Sequence, residues 1–137
     1  MTEIVIAGYV RSPFTPAGKG ALTKVRPDDL AADVVIGLNE QTGVDFSAIE
    51  DLLVGYAFPE GEQGLNVARF IGFLAEGPVS VAGATINRFF GSSMQEVHTA
   101  VGASALGAGD AFVCAGVEFM AQVPIMGFNP LPNPALL

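Results

Sequence analysis

The chain has 137 residues, half of them hydrophobic and only 15% charged, with a mean hydropathy of +0.48 and a formal net charge of −8. This length holds one ordinary domain, the apolar content excludes a disordered segment, and the acidic balance argues against a partner bound through its phosphate backbone. A single cysteine, Cys114, and a single histidine, His98, exclude a disulfide scaffold and a cysteine or histidine metal cluster within the chain.

In chain order, Glu3 to Tyr9 is a short apolar run suited to a buried strand. Arg11 to Gly20 is a loop broken by Pro13, Pro16, Gly18 and Gly20. Pro27 opens a helix, Asp28 and Asp29 favour its positive end, and Leu30, Val34, Val35 and Leu38 form one apolar stripe. Thr42-Gly43 stops it. Asp45 to Asp51 reads as a short helical turn leading into a strand at Leu52 to Tyr56, and Phe58 to Gly64 as a polar loop. Asn66 to Glu76 is a second helix with Val67, Phe70, Ile71 and Leu74 inward. Pro78 to Asn87 is mostly extended, rich in β-formers. Gly91 to Gly107 has helical length, and Ala111 to Val117 is a further core strand. From Met120 onward the chain is rich in proline and ends at Leu136-Leu137 with no closing element. The order β-α-β-α-β-α-β has crossovers long enough for parallel strands. No apolar run reaches the ~18 residues of a membrane span unbroken. Met1-Thr2-Glu3 shows no secretory pattern, so a cytoplasmic, reduced setting is expected.

Charge is unevenly spread. All six Lys and Arg lie at or before Arg88, and beyond it only Glu96, Asp110 and Glu118 are acidic. The helix from Gly91 is apolar or small nearly all round, which predicts burial on every side. One half-sheet covers one side only, so the chain reads as one half of a larger body.

Several segments carry a family resemblance. They are Arg26-Pro27-Asp28-Asp29-Leu30-Ala31-Ala32, Gly61-Glu62-Gln63-Gly64-Leu65-Asn66-Val67-Ala68-Arg69, and Thr85-Ile86-Asn87-Arg88-Phe89-Phe90-Gly91-Ser92-Ser93-Met94-Gln95. Ala115-Gly116-Val117-Glu118 and Met126-Gly127-Phe128-Asn129-Pro130 to Pro134 continue it. In order and spacing the chain resembles the thiolases, their acetyl-CoA acetyltransferase branch above all, over essentially its whole length. The resemblance implies an α/β fold: a layered α/β/α core, of which this would be the N-terminal half with one mixed, mainly parallel sheet. It also implies that residues 1–119 are the half-core and 120–137 the start of a loop domain covering CoA. Family chains are much longer, and their second half supplies an Asn, a His and a second Cys to the site. The implied chemistry is acyl transfer from CoA thioesters, without a separate cofactor, in fatty acid metabolism. The implied partners are the other thiolase half or a companion subunit, in a homo- or hetero-oligomer that takes acyl-CoA when complete.

The family nucleophile is a Cys that follows Asn-Arg-x and precedes Gly-Ser, at the head of the buried helix, where the dipole favours a thiolate. Here that position is Phe90, which cannot be acylated. A second departure is Phe119, where the family usually has Ser after Gly-Val-Glu. Two readings stand: a thiolase part altered at its nucleophile and inactive by itself, or a non-catalytic structural subunit. Thr85, Asn87 and Arg88 are expected to order their loop and contribute to an interface. Cys114, in mid-strand, reads as a structural thiol. His98, two turns past Phe90, reads as a satisfied helix residue, Gly18-Lys19-Gly20 as a plain loop, and Glu60 and Glu62 as a solvated loop pair.

Overall fold

The computed structural model describes residues 3–136; Met1, Thr2 and Leu137, which enter the readings of the two ends, lie outside the described residues. Among the described residues three helices and three strands alternate: α1 (Pro27–Thr42), β1 (Asp51–Gly55), α2 (Val67–Leu74), β2 (Ala82–Ile86), α3 (Ser92–Ala105) and β3 (Phe112–Gly116). Single 3-10 turns occupy Phe46–Ala48, Gly61–Gln63 and Pro134–Leu136.

The strands form one sheet in the order β2-β1-β3, and both pairings are parallel. Leu52 sits opposite Gly83 on one side and Val113 on the other. The central strand is the unbroken apolar run Leu52-Leu53-Val54, as expected of a strand covered on both faces. Leu52 and Val54 join the main core with Ala31, Val35, Val67 and Ile71 from α1 and α2. The other face carries α3, whose Ser92 and Glu96 lie against Gly55. The architecture is therefore layered α/β/α.

Local chemistry sets the helix ends. Pro27 opens α1 behind Arg26, whose guanidinium holds the Asp28 carboxylate through two hydrogen bonds of 3.0 and 2.9 Å. The helix ends at Gly43, with φ at 66°. Asn66 caps α2 by accepting the Arg69 N–H at 3.2 Å.

Four expectations about the fold need correction. Glu3 to Tyr9 is irregular and not a strand, with Val5, Ile6 and Tyr9 exposed; among the described residues no strand lies beside it, and a strand exists only with a neighbour to receive its ladder. The sheet accordingly has three strands, all parallel, where a fourth strand and a mixed sheet were expected. On α1 the buried face is Ala31, Ala32 and Val35, while Leu30 and Val34 line a hollow beneath Val10 to Pro13. On α2, Val67 and Ile71 are inward as expected, but Phe70 and Leu74 are exposed, because only one side of this eight-residue helix meets the sheet.

Candidate functional site

β1 and β3 end side by side at Gly55 and Gly116, and the first turn of α3 sits directly on these two glycines. A Cβ on Gly55 would lie 2.7 Å from the Ser92 carbonyl carbon, and one on Gly116 would lie 3.1 Å from the Ser93 Cβ. The absent side chains let the helix head approach the strand ends. Phe90, two residues before Ser92, stands at that head, 72% exposed.

The turn that presents Phe90 is tightly held. Phe89 has a positive φ of 48°, and its N–H donates to Asn87 Oδ1 at 2.9 Å. Ser92 Oγ accepts the Arg88 N–H at 2.9 Å and donates to the Phe89 carbonyl. The Phe58 ring packs near both neighbours, with centroids 6.3 Å from Phe89 and 6.2 Å from Phe90. Phe14, Gly55, Phe89, Phe90, Ser93 and Gly116 help to line a shallow cavity of about 200 Å³.

A buried polar network fixes the opposite wall. Gln63 is fully buried; its Nε2 donates to the Phe58 carbonyl at 2.8 Å and to Glu118 Oε1 at 2.6 Å, and its Oε1 accepts the Phe119 N–H at 2.9 Å. Glu118 Oε2 accepts the Ala57 N–H at 2.6 Å, and Asn87 Nδ2 donates to the Ala57 carbonyl at 2.8 Å. Three segments, 57–63, 87–92 and 117–119, are thereby tied around the cavity. Gln63 and Glu118 stand in the motifs Gly61-Glu62-Gln63-Gly64 and Gly116-Val117-Glu118, whose residue types and spacing alone give them no role. An uncharged amide between charged or backbone groups leaves no periodic signal.

The other sequence-singled residues lie apart from this turn or are otherwise engaged. Thr85 is on β2, opposite Val54. The Arg88 guanidinium reaches Gln95. Cys114 is half-buried at the centre of β3, and burial, with the Glu96 charge as a lesser cause, pushes its thiol up to about 11. So high a value leaves almost no thiolate near neutrality, so the structural reading of Cys114 stands. His98 is exposed on α3 rather than held by packing, and Gly18-Lys19-Gly20 lies in an exposed turn. Glu60 and Glu62 are not merely solvated: Glu60 Oε2 accepts the Phe128 N–H at 2.5 Å, and Glu62 pairs with Arg26 at 3.5 Å. Phe119, the second departure from the family pattern, is buried beside Gln63. Among the described residues no group of three His, Cys, Asp or Glu is placed to hold a metal ion.

Parallel strands between helix layers, with a helix head close-packed over paired strand ends, place the chain in the layered α/β class. The family model for the thiolase N-terminal domain matches residues 4–131, and the chain belongs to the thiolase family. It is 45% identical to a 3-ketoacyl-CoA thiolase of Bacillus subtilis over 99% of this chain and 35% of that protein. It is 40% identical to a 3-ketoacyl-CoA thiolase of Saccharophagus degradans over 98% of this chain and 34% of that one. The crystal structure of the Bacillus anthracis acetyl-CoA acetyltransferase superimposes with a TM-score of 0.81 at 33% identity, covering 88% of this chain and 30% of that one. The chain thus spans about a third of the length of these relatives and corresponds to their N-terminal part.

Proposed function

We propose that this chain is the N-terminal part of an acyl-CoA acyltransferase unit of the thiolase type, and that its own acyl-accepting position is closed by Phe90. The supporting observation is the phenyl ring of Phe90 at the head of α3. In the complete reaction a thiolate displaces CoA from an acyl-CoA, forming an acyl–sulfur bond as the CoA thiolate leaves; CoA or acetyl-CoA then removes the acyl group. Backbone N–H groups at a helix head, with donors from the rest of the enzyme, would hold the oxyanions. CoA thioesters are the substrates, and no separate cofactor takes part. Residues 1–119 are the half-core, and 120–137 begin the segment that covers CoA. Thr85, Asn87 and Arg88 contribute to an interface along β2, whose outer edge is unpaired among the described residues. Incubation of the chain with acetyl-CoA should give no acetyl adduct by intact mass; an adduct mapping to Cys114 would overturn the reading.

A second reading, a non-catalytic subunit of a heteromeric thiolase-like complex, is favoured by the outward face of α3, where Met94 and Val101 are exposed, with Leu106 just beyond the helix. Weighing every polypeptide in the purified sample separates the two. A companion bearing the family's second-half Asn, His and Cys would favour the subunit reading. A long parent chain containing these 137 residues would favour the first.

A further inference from the structure

Beneath the Phe90 turn, α3 presents an acid to the sheet. Glu96 follows Ser92 by one helical turn, is 0% exposed, and has neither carboxyl oxygen hydrogen-bonded among the described residues. Its Oε1 occupies the space that a Cβ on Gly55 would need. A carboxylate so placed has no cation and no hydrogen bond of normal geometry, and only the nearby Ala115 backbone, to offset its lost hydration, whereas a neutral carboxyl forfeits far less.

We propose that Glu96 is a proton-binding site that seats α3 on the sheet, with the helix packed flat while the carboxyl is protonated and loosened when it ionises. The facing elements supply no cation. β2 carries no titratable side chain, β1 carries only Asp51 at the end away from Gly55, and β3 carries only Cys114. On α3 itself, His98 is exposed, and the nearby Arg88 guanidinium is engaged with Gln95. Burial pushes Glu96 up to about 8, with the Ala115 backbone working the other way. Cys114 titrates near about 11, above this range. A raised acid binds its proton more tightly in the folded chain. Its stabilising effect is therefore complete below the ordinary carboxyl range, is lost steadily as pH rises to about 8, and is constant above that. Ser92, the hydrogen-bond hub of the Phe89–Phe90 turn, sits one turn above, so loosening α3 releases that turn first.

The test compares urea unfolding of the 137-residue chain with that of Glu96→Gln from about pH 5 to about pH 9. The wild-type unfolding constant should rise, relative to the variant's, by about tenfold per pH unit up to about pH 8 and then level off. Parallel curves would overturn the proposal. If Glu96→Gln fails to fold, Glu96→Met serves as the reference. Infrared difference spectra give an independent reading on the wild type. A protonated-carboxyl band at about pH 6 that disappears by about pH 10 supports the site, and its absence at about pH 6 refutes it.

Discussion

A thiol at position 90 would meet surroundings opposite to those of Cys114. Position 90 is exposed at the head of a fourteen-residue helix, where the dipole favours an anion. Cys114 is held up to about 11 by burial. At pH 8 a thiol of that kind is ionised about once in a thousand molecules, against roughly a quarter for an ordinary one. In Phe90→Cys, iodoacetamide should therefore modify Cys114 about a hundredfold more slowly than the introduced thiol, as read by peptide mass. Comparable rates would mean that burial does not hold the Cys114 thiol protonated. Supplying the rest of a thiolase to the same variant should restore acylation by acetyl-CoA. At this scale the sequence was informative about Phe90, because a motif on both sides fixed its place. Glu96 was visible only as the lone charge on an otherwise uncharged helix. Its inward direction depends on which face of α3 meets Gly55, a tertiary fact that local spacing does not contain.

Elements are joined here by contacts that leave no room and by polar groups that leave no spare partner. Gly55→Ala drives a Cβ to 2.7 Å from the Ser92 carbonyl carbon, a backbone atom that cannot rotate away. Gly116→Ala meets the Ser93 side chain, whose hydroxyl can turn aside although its Cβ, 3.1 Å away, remains tight. Both should destabilise, Gly55→Ala by about 3 kcal/mol and Gly116→Ala by about 1 kcal/mol. Equal losses in urea unfolding would place the tight seam elsewhere. Gln63→Leu keeps much of the side-chain volume but strands the Phe58 carbonyl, the Phe119 N–H and one Glu118 oxygen, at a cost of about 3 kcal/mol. A loss below about 1 kcal/mol would show that the network contributes little. The helices and the strands at β1, β2 and β3 were legible from period and breakers, each within a few residues. The reading of Glu3 to Tyr9 failed for a physical reason: its composition suits a strand, but strand formation requires a neighbour, and neighbours are chosen by topology rather than by the segment itself. Phe70 and Leu74 were misplaced similarly, since a stripe of period 3.6 shows which residues share a face but not how much of that face is covered.

For the whole molecule, the decisive quantity is apolar surface left in water. Val5, Ile6 and Tyr9 are exposed at one place, and Met94, Val101 and Leu106 along the outside of α3 at another. Covering the last three alone would recover roughly 5 kcal/mol, a large share of the ~5–15 kcal/mol that holds a domain folded. No helix among the described residues is long and apolar enough to cross a membrane, so a bilayer spanned by such a helix does not account for these faces. The surface asks for protein, whether the remainder of a longer chain, a companion, or another copy. Purified alone, the chain should sediment heavier than a 14.1 kDa particle. The double variant Met94→Lys, Val101→Lys should shift it toward the monomer while circular dichroism stays unchanged, because both side chains point away from the sheet-facing Ser92 and Glu96. A lone wild-type monomer with a cooperative melt would show that the sheet and its two layers suffice by themselves. The outward face of α3 would then be ordinary exposed surface rather than a seam.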